Sequence, residues 1–228
     1  MAKDVAHVTD LMDKLLEAYR PVAEKEVAEI EQLAKEKEGE NFVLQPWDFS
    51  HYGYLLKMQR YNIDSEMLRP YLRLEKVQEG VFGLATRLYG ITFEHAADIP
   101  VYHPDVVAYR VKDTDGTFLA VLLADFHPRA NKQSGAWMTT YREQWVEDKT
   151  GENVRPIVSI VMNFTKPTKE RPALLTLGEV ETFLHEFGHA LHAIFSQVKY
   201  EALSCTNVYW DFVELPSQFM ENYATEPE

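Results

Sequence analysis

The sequence predicts an α+β protein, predominantly helical, with a small antiparallel sheet. Three observations predict it. Residues 4–38 and 46–88 carry apolar residues at helical spacing, short β-rich runs appear only between about residue 106 and residue 164, and helical periodicity returns from residue 174 to residue 223.

The first stretch, 4–38, is rich in Ala, Leu, Glu and Lys, and its apolar positions Val5, Val8, Leu11, Leu15, Val22, Val27, Ile30 and Leu33 mark one helix face. Pro21 places a kink in it and Gly39 ends it. Its charges read as a solvated face. Trp47-Asp48-Phe49 opens a second helical segment, Asp64-Ser65 caps a third, and Leu74 to Leu88 forms a fourth through Val77, Val81, Leu84 and Leu88. The pattern then changes. Val106 to Val111 and Phe118 to Leu123 flank Asp113-Thr114-Asp115-Gly116, a hairpin signal, and Ile157 to Phe164 reads as a further strand that could run along a cleft and pair with an extended peptide. The stretch from His127 to Gly151, with Arg129, Lys132, Trp137 and Trp145, reads as a loop. Three stretches follow: a helical layer (1–95), a small sheet with its loop (96–165) and a closing pair of helices (166–228), with no repeat or linker to divide them.

Composition narrows the function. With 36 acidic against 23 basic residues the net charge is -13, which excludes the clustered cations of a nucleic-acid binder. No apolar run approaches the roughly 20 residues needed to cross a bilayer, and the N-terminal Met-Ala-Lys-Asp lacks a signal-peptide core, so a cytoplasmic location is expected. A single cysteine, Cys205, forbids an internal disulfide and a cysteine-rich metal cage. A metal would have to be held by histidines and carboxylates.

Leu174 to Phe195 reads as a helix opened by a capping box, Thr176 with Glu179, and contains His185-Glu186-Phe187-Gly188-His189. At about 100° per residue, with His185 at zero, His189 falls near 40°, His192 near -20°, Glu181 near -40° and Glu186 near 100°. Val180, Phe183, Leu184, Phe187, Ala190, Leu191, Ile194 and Phe195 occupy the remaining arc, so one side is buried and a His/Glu stripe faces a cleft. A chance match on a surface helix would give no reason for that split. Two histidines four residues apart stack one turn above the other, and both rings reach one zinc ion at about 2.0–2.1 Å. The glutamate after the first histidine stands beside the metal, where it can take a proton from a water held by the ion and later pass it to a leaving amine.

A catalytic zinc needs a third protein ligand. The position six residues after His189 is Phe195, which excludes a third histidine there, and His192 fits packing or support of a ligand better than coordination. Tyr209 to Tyr223 supplies a second helix carrying Glu214, 25 residues beyond His189, with Asp211 and Gln218 on the same face to orient a ligand.

These residues resemble the zinc oligopeptidase family that includes thimet oligopeptidase, oligopeptidase A and peptidyl-dipeptidase. The matching stretches are Glu179 to His192 and Asp211 to Gln218, supported by Pro46-Trp47-Asp48, Arg87 to Phe93, Phe126-His127-Pro128-Arg129, Gly135-Ala136-Trp137-Met138 and Val161 to Thr165, with the last features nearest the peptidyl-dipeptidase branch. The resemblance implies a zincin-like helix pair, His185, His189 and Glu214 as zinc ligands, Glu186 as general base, and hydrolysis of short peptides with release of C-terminal dipeptides. Manganese or cobalt suits the same donor set. Cys205 and Asn131 stand where the family has glycines, which is expected to strain a loop beside the cleft. The resemblance covers a middle third of the family's length. The family's downstream segment carries the tyrosines and histidine that stabilise the oxyanion, so the expectation is part of a larger catalytic domain, slow alone and prone to self-association through uncovered apolar faces. The alternative is a non-catalytic fragment that keeps a zinc site or a partner-binding surface without turnover.

Overall fold

In the computed structural model, which describes residues 2–62 and 64–226, backbone contacts group the chain into two compact units, one up to Met67 and one from Leu68 onward. Met1, the first residue of the N-terminal reading, and the Ser65 side chain of the expected cap lie outside what is described.

In the first unit, Val5–Glu38 forms one helix, α1, and Pro21 sits inside it without ending it. Asp4 caps its start by accepting from the His7 backbone N–H at 3.0 Å, and Gly39 closes it with φ of 107°. Only Ile30, Leu33 and Ala34 of α1 are buried. Ile30 and Ala34 pack with Tyr52 of α2 (Phe49–Tyr61), where Phe42 meets Tyr52 edge to face. A short helix, α3 (Ser65–Leu68), starts under Asp64, whose Oδ1 accepts from the Glu66 N–H at 3.0 Å.

The second unit holds the site. Helix α4 (Leu74–Tyr89) ends on Gly90 at φ of 75° and leads into strand β1 (Thr92–His95), a strand within the stretch expected to be helical. Strands β2 (Val107–Lys112) and β3 (Phe118–Asp125) form the expected hairpin, closed by Asp113 N–H to Thr117 O at 2.8 Å with Gly116 at φ of 85°. The expected loop contains two strands, β4 (Trp137–Arg142) and β5 (Trp145–Val146); β5 pairs with β6 (Asn153–Val154). Strand β7 covers Ile157–Val161.

The sheet corrects the expectation of a purely antiparallel one. Its order is β1-β2-β3-β7-β4, and β3 pairs with β7 in parallel, Leu122 opposite Val158. The cause lies in β3: its residues from Leu119 to Asp125 are all buried, and a strand covered on both faces reads as a continuous apolar run, as parallel neighbours do. The long segment between β3 and β7 supplies the crossover that parallel pairing needs. Helix α5 (Leu177–Ile194) packs on this sheet, with Phe183 and Phe187 fully buried among Phe126, Phe164, Phe82 and Phe93. Its capping box forms as expected, Thr176 Oγ1 accepting from Glu179 N–H at 3.1 Å and Glu179 Oε2 from Thr176 N–H at 2.7 Å. Phe195 lies at its C-cap, not on its buried face.

The segment expected to be one helix from Tyr209 to Tyr223 is broken. Helix α6 (Trp210–Val213) stops at Glu214, and α7 (Leu215–Glu221) starts there with Pro216 in its first turn, a position where the missing N–H costs nothing. No helix among the described residues is long and apolar enough to cross a membrane.

Candidate metal centre

His185 and His189 project from successive turns of α5 with ring centroids 4.9 Å apart. Glu214, at the junction of α6 and α7, places Oε2 3.3 Å from His185 Nε2 and 3.1 Å from His189 Nε2. One atom from each residue fits within a 4.8 Å span. Ligand atoms at tetrahedral corners about 2.0 Å from a zinc ion stand ~3.3 Å apart, so the donor set has the spacing a metal requires.

Protonation points the same way. His185 Nδ1 lies 2.5 Å from Glu221 Oε1. Its other nitrogen, Nε2, faces the Glu214 carboxylate, so the ring is held between two carboxylates. Burial holds His189 below the ordinary histidine range against the opposing pull of Glu214, which favours the neutral, ligating ring. Glu214 is held below the usual carboxylate range, first by Ser217, whose Oγ donates to Oε2 at 2.7 Å, then by the two histidines. Ser217 is thus the side chain hydrogen-bonded to Glu214, where Asp211 or Gln218 was expected.

Glu186 is 6% exposed, and burial pushes its carboxyl up, with the Glu214 charge adding to that and His185 opposing it. It lines a cavity of about 370 Å³ together with Ala136, Trp137, Met138, His185, His189, Thr206, Val213 and Glu214. A second hollow of about 420 Å³ shares Ala136, His185 and Glu186 and continues past Glu181 and Glu221. His192 stays out of both, packing edge-on against Phe212. Strand β7 cannot offer a free edge, because β3 and β4 flank it; the strand beside the cavity is the edge strand β4. Cys205 adopts φ of 54°, so a side chain does occupy a left-handed position near the site, whereas Asn131 does not have positive φ.

Glu221, Ser217 and Gly188 escaped the sequence reading. Glu221 carried a usable signal, seven residues and two turns beyond Glu214. Ser217 and Gly188 carried none without the packing of α7 on α5.

A helix bearing two histidines a turn apart, met over a mixed sheet by a glutamate at the junction of two further helices, defines a candidate metal centre. The model of peptidase family M3 matches residues 1–228, and the chain belongs to that family. It is 40% identical over 229 residues to dipeptidyl carboxypeptidase of Escherichia coli, with 100% of this chain and 33% of that protein covered. It is 38% identical to oligopeptidase A of the same bacterium at the same coverage, and 31% identical to the mitochondrial intermediate peptidase of Arabidopsis thaliana over 98% of this chain. The chain thus spans about a third of the length of these curated relatives.

Proposed function

We propose that this chain carries the metal-binding part of a zinc peptidase that cleaves short peptides and releases C-terminal dipeptides. The observation that carries the reading is the convergence of His185, His189 and Glu214 on one point with Glu186 buried beside it. His185, His189 and Glu214 would hold the ion, and Glu221 would orient His185. When bound, zinc supplies a Lewis acid that polarises a peptide carbonyl and acidifies a water.

Glu186 acts as the general base. A carboxylate raised by burial keeps enough affinity for a proton to draw one from the attacking water and to deliver it to the leaving amine. The free edge of β4 gives an extended peptide backbone partners to pair with, next to the same cavity. The family and the name of the dipeptidyl carboxypeptidase relative support the choice of dipeptide release.

Zinc titration of the metal-free protein tests the reading: about one equivalent should bind the parent and none the His185→Ala, His189→Ala double variant. Equal binding by both would reject the ligand set.

A further inference from the structure

The loop between β3 and β4, residues 126–136, contributes no proposed ligand, yet it is fastened by a buried cation. The Lys132 side chain is 2% exposed. Its ammonium donates to Asp125 Oδ1, Asp125 O and His127 O, each at 2.9 Å, and to Met162 O. Three protons shared among four oxygens join the end of β3, the loop and the residue after β7. Asp125, 1% exposed, is also gripped by Arg129 through both oxygens at 2.8 Å and accepts from Tyr102 Oη at 2.9 Å. The carboxylate therefore keeps a cation without Lys132, so Lys132 is not needed merely to neutralise it.

The far end of the loop is fastened separately. Asn163 Nδ2 donates to Gln133 O at 2.9 Å and to Gly135 O at 2.8 Å. Gly135 turns at φ of 95°, and the next three residues, Ala136, Trp137 and Met138, line the cavity with His185 and Glu186. Strand β4 is an edge strand with β7 as its one neighbour in the sheet, and the Glu186 carboxylate takes the Met138 N–H on its other side. An edge start with a single neighbour is free to shift unless its approach is fixed.

We propose that Lys132 and Asn163 are positioning residues for the cleft: together they fix where Ala136–Met138 stand against Glu186, and so where a bound peptide backbone lies. Only the kinetic half of the test rests on the peptidase reading; the exchange half does not. Asn163→Asp keeps the side-chain size and replaces both N–H donors with acceptors, and Lys132→Met keeps length and removes the charge.

Amide hydrogen exchange and peptide kinetics are measured on the zinc-loaded full chain. In each variant, exchange at 136–142 should quicken about tenfold while the amides of α5 keep the parent rate. KM for a short peptide should rise about tenfold with kcat changed less than about threefold and zinc stoichiometry unchanged. Parent-like exchange at 136–142 in Asn163→Asp overturns the proposal, as does quickening spread equally over β4 and α5, the mark of a purely structural role. Should Lys132→Met fail to fold, Asn163→Asp decides by itself. Should the parent show no turnover, the exchange result decides the proposal by itself.

Discussion

Gly188 and Pro216 meet backbone to backbone: a β-carbon on Gly188 would stand 2.5 Å from Pro216 O and 2.6 Å from Ser217 Cα. That approach seats the start of α7 on α5 and brings Glu214, two residues before Pro216, to the histidine pair. Gly188 is helical, so its value here is its missing side chain and not its freedom of φ. Gly188→Ala should push α7 away, costing about 1–3 kcal/mol in stability and at least tenfold in zinc affinity. Chelator competition and thermal melting check both; unchanged affinity would mean that Glu214 does not depend on this contact.

Glu221 Oε1 lies 2.5 Å from His185 Nδ1, on the far side of the ring from Glu214. Glu221→Ala should keep the fold and weaken zinc binding about 10–100-fold, the usual cost of losing a carboxylate behind a ligating histidine. Isothermal titration measures it, and an affinity within twofold of the parent would remove Glu221 from the site.

Asp125 links stability to pH. Burial by itself would raise its carboxyl, but hydrogen bonds from Arg129, Lys132 and Tyr102 outweigh burial and leave it below the usual range. The folded state therefore binds that proton more weakly than the unfolded state does. Its stabilising contribution is complete above about pH 3.9 and is lost as pH falls through the lower folded value. Asp125→Asn, which strands the buried Lys132, should cost about 3–5 kcal/mol at neutral pH, with the gap to the parent narrowing in acid. Urea unfolding at several pH values reads this directly.

Much of this was legible in advance because the periodicities are strong. The capping box, the apolar arc of α5 and the hairpin at Asp113–Gly116 are local patterns, and each formed where its residues stand. The candidate set of His185, Glu186 and His189 could be read because metal geometry constrains spacing on one helix, whereas the choice of Glu214 rested on the family resemblance. What escaped depends on distant partners. Strand β4 hides in a polar stretch because it pairs only with β7, 15 residues past its end, and the parallel β3–β7 pairing has no local signature. The break at Glu214 follows from Pro216 and from the seat on Gly188, neither of which helical periodicity registers.

Cys205 holds a left-handed backbone while buried at 3% exposure, and burial pushes its thiol up to about 11. A left-handed residue with a side chain costs roughly 1–2 kcal/mol relative to glycine. Cys205→Gly should accordingly be more stable than Cys205→Ala by about 1 kcal/mol, by thermal melting. The thiol itself should resist a disulfide reagent at pH 8 until the protein unfolds, since roughly one thiol in a thousand would be ionised.

Zinc content and peptide cleavage, followed together in the parent and in Glu186→Gln, test the central claim most directly. The amide keeps the shape of Glu186 but cannot accept the proton. The account predicts about one zinc in both proteins and a fall in kcat of roughly 10²–10⁴ in the variant. Loss of zinc from Glu186→Gln would put Glu186 among the ligands, and a zinc-loaded variant that cleaves as fast as the parent would contradict its role as the base.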